Sequence, residues 1–205
     1  MTGRIRIVGM GDSTTAGTPG WKSPVEAPPD GAGDRRSQYA FWLMEAHPEW
    51  EVLNRGVNGE RSDQILARFD RDVLALQPRA VIVIAGVNDV YQGRTSAHVI
   101  EHLDDMYKQA QRAAIDVVAG TIIPYNTATP DQNARMHEVN RWIRSRADQH
   151  PLVHFVDTRA AVAAPHSADL LGDTPDQLHP SAAGYRHMAE AIRPVLERVL
   201  AKNPH

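Results

Sequence analysis

Residues 80–85 read Ala-Val-Ile-Val-Ile-Ala, an apolar run without a polar face, and they pass directly into Gly86-Val87-Asn88-Asp89. A strand that is apolar on both sides must be covered on both sides. The run therefore calls for a central strand of a parallel sheet held between layers of helices. The rest of the chain agrees. Strand candidates at Ile5–Val8, Glu51–Asn54, Ile115–Ala119 and Val153–Val156 alternate with stripes of helical period. The stripes are Tyr39, Trp42, Leu43 and Ala46; Ile65, Leu66, Phe69, Val73 and Leu74; Val99, Leu103, Met106, Tyr107 and Ala110; Met136, Val139 and Ile143; and Tyr185, Met188, Ile192 and Leu196. Ser37, Ser62 and Ser181 precede three of them and are expected to cap those helices. Pro194 lies within the last stripe and is expected to kink the helix or loosen its C-terminal half. Residues 18–36, 120–132 and most of 158–180 read as loops.

A chain of 205 residues is long enough for one domain with a substantial core, so residues 1–205 are read as a single unit. The net charge of -3 supplies no basic footprint for nucleic acid, and no run is apolar enough to span a membrane. The absence of cysteine removes disulfides, thiolate metal ligands and thiol nucleophiles. Arg4 and Arg6 interrupt the first apolar run, which leaves no secretory core at the start, so the expected location is the cytoplasm.

The stretch Gly9-Met10-Gly11-Asp12-Ser13-Thr14-Thr15-Ala16-Gly17 follows the first strand. Its glycines permit a sharp turn that would stand Ser13 at the carboxyl edge of the sheet, where open α/β folds place their sites. Taken alone, the stretch fits a nucleophile, a phosphate cradle or a plain turn. The strand ends at Gly56 and Asn88 share that edge, and a late loop adds Asp176-Gln177-Leu178-His179. Acyl transfer needs these residue types: a hydroxyl, an imidazole to take its proton, a carboxylate to orient the imidazole, and donors for the oxyanion. Asp176, three residues before His179, is close enough in a tight loop to hold Nδ1–H and leave Nε2 for Ser13. The N–H groups of Ser13 and Gly56 and the amide of Asn88 are the candidate oxyanion donors, Gly56 because a missing Cβ would let substrate approach its backbone.

Gly11-Asp12-Ser13, the Gly56 turn, Gly86-Val87-Asn88-Asp89 and Asp176-Gln177-Leu178-His179 resemble, in order, the four blocks of the SGNH hydrolases, also called the GDSL esterase/lipase family. The resemblance spans nearly the whole chain. It departs from the family at Thr14, where the family name has leucine, a position without a catalytic role there. It implies a three-layer α/β/α sandwich of flavodoxin-like type with five parallel strands. It also implies a Ser13–His179–Asp176 triad, an oxyanion hole at Ser13, Gly56 and Asn88, and no metal or cofactor.

The expected reaction is hydrolysis of a small-molecule carboxylic ester through an acyl-enzyme. The polar loops at 18–36, 91–96, 120–132 and 158–173 point to a short acyl group, such as acetyl on a carbohydrate or another small alcohol. Thioester or lysophospholipid hydrolysis is the alternative within the family. A flavin-binding, flavodoxin-like electron carrier is the alternative from another class, resting on the hydroxyl-rich loop after the first strand. A dinucleotide site at Gly9-Met10-Gly11 lacks the third glycine of its motif, since Thr14 stands there. Trp21 and Tyr125 fall in loops expected to rim the pocket and are candidate substrate contacts. Asp12 and Asp89 are expected to hold their turns by local bonds. His98 and His102, four apart without an adjoining carboxylate motif, are read as a solvated helix face rather than a metal pair.

Overall fold

A computed structural model of the chain describes residues 4–201. Five strands, β1 (Ile5–Gly11), β2 (Trp50–Gly56), β3 (Ala80–Ile84), β4 (Asp116–Gly120) and β5 (Val153–Val156), form one parallel sheet in the order β2-β1-β3-β4-β5. This is the flavodoxin-like strand order, in which the direction of winding reverses between β1 and β3. Gly11 pairs with Gly56 on one side and Ile84 on the other, so the carboxyl ends of three strands lie level.

Side-chain alternation divides the core. Val8, Met10, Val81, Val83, Val117 and Ala119 pack on one face beneath α3 (Ser62–Ala67), α4 (Phe69–Asp72), α6 (Ser96–Arg112) and α7 (Pro130–Gln149). Ile7, Ile82, Ile84 and Val118 pack on the other face against α2 (Tyr39–Ala46) and α9 (Ala182–Ala201). The central run 80–85 is buried throughout, as a doubly covered strand requires. Two four- and five-residue helices, α1 (Ser13–Ala16) and α5 (Val87–Tyr91), start at the ends of β1 and β3.

Several local expectations need correction. Ser37 does not cap α2; it closes a short 3-10 turn, and Gln38 precedes the helix without a side-chain cap bond. Ser62 is the first residue of α3 rather than its cap, because its hydroxyl is bonded to Asp89. Helix α7 begins at Pro130, before the end of the expected loop. Thr129 caps Gln132 N–H, and the Gln132 side chain returns to Thr129 N–H, a reciprocal cap that nucleates the extra turn. Residues 158–171 are largely regular: a short helix α8 (Thr158–Val162) runs into an antiparallel ribbon, Ala163–Ala164 with Ser167–Leu171. A second small ribbon, Trp21–Lys22 with Ala32–Gly33, lies inside the first long loop. Ser181 does cap α9, accepting from Gly184 N–H at 3.2 Å. That helix continues through Pro194 to Ala201, with Val195, Leu196 and Val199 still buried beyond the proline. Packing of that face offsets the hydrogen bond proline cannot donate. Among the described residues, no helix is long and apolar enough to cross a membrane.

Candidate active site

β1 turns into α1 within one residue, at Asp12. A Cβ on Gly11 would lie 2.2 Å from Ile84 O and 2.4 Å from Thr15 Oγ1, so only glycine allows this approach. Asp12 caps α1 through Oδ1, which accepts from Thr14 N–H at 2.9 Å. Asp12 is fully buried and its Oδ2 has no hydrogen-bond partner. Burial pushes its carboxyl up to about 7, against the Thr14 bonds that favour ionisation, with the charges of Asp89 and Glu60 adding to the rise.

Ser13 is the first residue of α1, and its Oγ lies 3.0 Å from His179 Nε2. His179 Nδ1 lies 2.7 Å from Asp176 Oδ2. The other carboxylate oxygen accepts from the N–H groups of Leu178 (2.9 Å) and His179 (2.8 Å). Gln177 adopts φ 66°, the left-handed conformation that closes this turn. Burial alone would raise the Asp176 pKa, but the bonds from the His179 ring and the two N–H groups outweigh it and hold the carboxyl below its ordinary value. An ionised Asp176 can only accept, so the Nδ1 of a neutral His179 carries the proton. Nε2 is then the acceptor for the Ser13 hydroxyl.

The same edge gathers the candidate oxyanion donors. As the first residue of α1, Ser13 has an N–H with no intrahelical acceptor. Asn88, in α5, donates one amide hydrogen to Glu60 O at 2.9 Å, which fixes the side chain and leaves the second hydrogen for a ligand. Gly56 differs from expectation in two ways. Its N–H donates to Asn54 Oδ1 at 3.0 Å, so a bond to an oxyanion would be shared. Its missing Cβ makes room for α1 rather than for substrate: a Cβ there would lie 2.0 Å from Ala16 N and 2.6 Å from Thr15 C. Asn54 is buried and also donates to Ala16 O (2.9 Å) and Gln38 Oε1 (2.8 Å), joining β2 to the end of α1 and the start of α2.

Arg68 supports the site from behind. Its guanidinium reaches Glu60 (2.7 Å), Asp72 (2.9 Å), Arg55 O (2.8 Å) and Gly11 O (2.9 Å), tying together the ends of β1 and β2. Asp89 does not hold its own turn. Its carboxylate accepts from Ser62 N–H (2.8 Å) and Ser62 Oγ (2.7 Å), clamping α3 to α5. His98 and His102 are not a solvated face either. His102 Nδ1 lies 3.2 Å from Ser62 Oγ and His98 Nε2 lies 3.6 Å from Asp89 Oδ1. Atoms of Asp63, Asp89 and His98 come within 4.8 Å of one another, yet Arg61 already binds Asp63 twice and Ser62 occupies Asp89. The arrangement is a hydrogen-bonded clamp between α3 and α5 rather than a set of free ligands.

Trp21 and Tyr125 are both buried. Trp21 packs on Gly31 inside its own ribbon, where a Cβ would lie 2.4 Å from the indole. Tyr125 joins the core and meets Tyr91 edge to face at 5.8 Å. The loop after β1 is poorly built to cradle a phosphate. The N–H groups of Thr14, Thr15, Ala16, Gly17 and Thr18 are spent on Asp12 and Ser13.

A sequence profile of the GDSL-like lipase/acylhydrolase family matches residues 10–187, which takes in the Ser13 turn, the Asn88 turn and the Asp176–His179 loop. The chain belongs to this family. It is 27% identical over 156 residues to the platelet-activating factor acetylhydrolase IB subunit alpha1 of Homo sapiens, covering 74% of this chain and 66% of that one. The chain thus spans just under two thirds of the length of that relative. It is 28% identical over 173 residues to an acetylxylan esterase of Geobacillus stearothermophilus, covering 75% of this chain and 77% of the relative. A lipolytic G-D-S-L family protein from Desulfitobacterium hafniense superposes with a TM-score of 0.76 at 25% identity, over 94% of this chain and 99% of the other. A catalytic mutant of the Geobacillus esterase shares the fold, with a TM-score of 0.72 at 23% identity over 96% of this chain and 95% of the other.

Proposed function

We propose that residues 1–205 form one catalytic domain, a serine esterase that removes short acyl groups, acetyl above all, from the alcohol of a small-molecule ester. The observation that carries this reading is the continuous relay from Asp176 through His179 to Ser13, at 2.7 and 3.0 Å. Ser13 Oγ attacks the ester carbonyl carbon while its proton passes to His179 Nε2. The tetrahedral oxyanion is held by the Ser13 N–H and the free amide hydrogen of Asn88, with Gly56 N–H as a shared third donor. Collapse breaks the bond to the alcohol oxygen, which takes the proton from His179. Water, activated by the same imidazole, then releases the acid and restores Ser13. Asp176 remains ionised throughout, fixes the tautomer and stabilises the imidazolium.

Family membership supports an acylhydrolase. The names of the two curated relatives, an acetylhydrolase and an acetylxylan esterase, favour acetyl. The test is an acyl-length series of p-nitrophenyl esters with wild type and Ser13→Ala. The proposal expects the highest kcat/KM at acetate or propionate and a loss of up to about a millionfold in Ser13→Ala. A preference for long chains would overturn the short-acyl assignment, and full activity in purified Ser13→Ala would overturn the nucleophile.

A further inference from the structure

Tyr91 is the one large hydrophobic side chain that stands exposed among the described residues, at 57%. It ends α5, three residues after Asn88, so the two side chains lie on the same side of that turn. Its ring meets Tyr125 edge to face, and Tyr125 is buried with a hydroxyl that has no hydrogen-bond partner. The next residue, Asn126, donates its N–H to Gln177 O at 2.8 Å, inside the turn that carries Asp176 and His179. The two tyrosines therefore bridge from the oxyanion side of the site to the imidazole side. The turn after Tyr91 is held in place, with Arg135 donating to Gly93 O and Arg94 O and Arg94 N–H donating to Asp89 O. Tyr91 thus sits at a helix end whose turn is held, rests against a buried ring, and leaves more than half of its surface open to a stacking partner.

We propose that Tyr91 is a specificity-determining residue that stacks against a ring in the leaving alcohol of the substrate. The proposal rests on the esterase reading above. The geometry selects the alcohol over the acyl group. The leaving oxygen must sit within reach of His179 Nε2 to be protonated, so the alcohol extends toward the His179 loop, the side to which Tyr125 and Asn126 connect Tyr91. The shared chemistry of the ligand is a ring with a flat, weakly polar face, either a pyranose presenting C–H groups or an aryl ring.

The test compares Tyr91→Ala and Tyr91→Phe with wild type on three acetates: an acetylated methyl pyranoside, phenyl acetate and ethyl acetate. Ser13→Ala runs alongside. The readout is the kcat/KM ratio of each ring acetate to ethyl acetate. Tyr91→Ala is expected to lower that ratio by about 2- to 12-fold, the usual worth of one aromatic stack, mainly through KM, and Tyr91→Phe to keep it. A fall for the pyranoside alone identifies a sugar, and a fall for both ring acetates identifies any flat ring. An unchanged ratio overturns the proposal, and where it accompanies an equal loss on all three acetates it marks Tyr91 as mere support for Asn88. Hydrolysis of all three acetates that persists in Ser13→Ala would instead bring down Ser13 as the nucleophile, and with it the triad reading on which this inference rests.

Discussion

Gly56→Ala is the perturbation that most directly tests how the sheet edge positions Ser13. The added Cβ would stand 2.0 Å from Ala16 N and 2.6 Å from Thr15 C, both backbone atoms of α1. Ordinary contact begins near about 3.4 Å, so α1 and β2 must separate by about 1.4 Å at this point. No rotamer change can absorb that, because no side chain is involved. Overpacking of this kind costs about 1–3 kcal/mol. For a chain of this size that is a fall in Tm of roughly 2–12 °C. Ser13 is carried on α1, and a displacement of about 1 Å at a reacting group is worth on the order of a hundredfold in rate. The expected result is a melt shifted by several degrees and a kcat on p-nitrophenyl acetate reduced about a hundredfold or more. Gly59→Ala is the control: Gly59 has φ +80° and nothing within 4 Å of its Cβ position, so it costs only about 1–2 kcal/mol of backbone strain. A Gly56→Ala protein that melts with wild type and keeps its kcat would refute the close-packing argument. It would return Gly56 to the role of a glycine that merely admits substrate.

Other outcomes follow from the same geometry. Asn88→Ala should lower kcat by about 10²–10³ with little change in KM, measured by steady-state kinetics, because the amide acts on the developing oxyanion. Asp12 is protonated in the folded chain up to about pH 7 but ionises near 3.8 when unfolded. The folded state therefore holds the extra proton, and stability from this group falls as pH rises from about 4 to about 7 and then levels, by about 4 kcal/mol in all. Urea unfolding across that range should show a slope that Asp12→Asn removes; identical slopes would contradict it. Arg68→Met leaves Glu60, Arg55 O and Gly11 O without their guanidinium donor, while Asp72 keeps Arg71, and should cost about 1–3 kcal/mol in chemical denaturation.

The architecture was legible where local pattern and tertiary packing agree. The strand at 80–85 is apolar on both faces and is central in the sheet, and the helical stripes of α6 and α9 face the core as their period requires. The Asp176–His179 contact could be read because it closes within one turn. Of the contacts between distant segments only Ser13–His179 could be expected, from the residue types acyl transfer needs and the family resemblance; the supporting ones could not. Asp89 reaches Ser62 across 27 residues, and Asn54 holds Gln38 and Ala16 while occupying Gly56 N–H. No periodicity encodes such bonds. Thr129-Pro130-Asp131-Gln132 did carry a readable cap signal, which would have moved the start of α7 forward. Tyr91 stood out only once its neighbours were seen to be buried while it remained exposed.

The central claim is that Ser13 is activated by His179 and Asp176. Fluorophosphonate labelling of folded and urea-unfolded protein, read by intact and peptide mass spectrometry, tests it most directly. Predicted is one stoichiometric adduct, on Ser13, formed by the folded wild type and lost in both His179→Ala and unfolded protein. Labelling of Ser13 that persists without His179, or no labelling of folded protein together with no hydrolysis of p-nitrophenyl acetate, would contradict it.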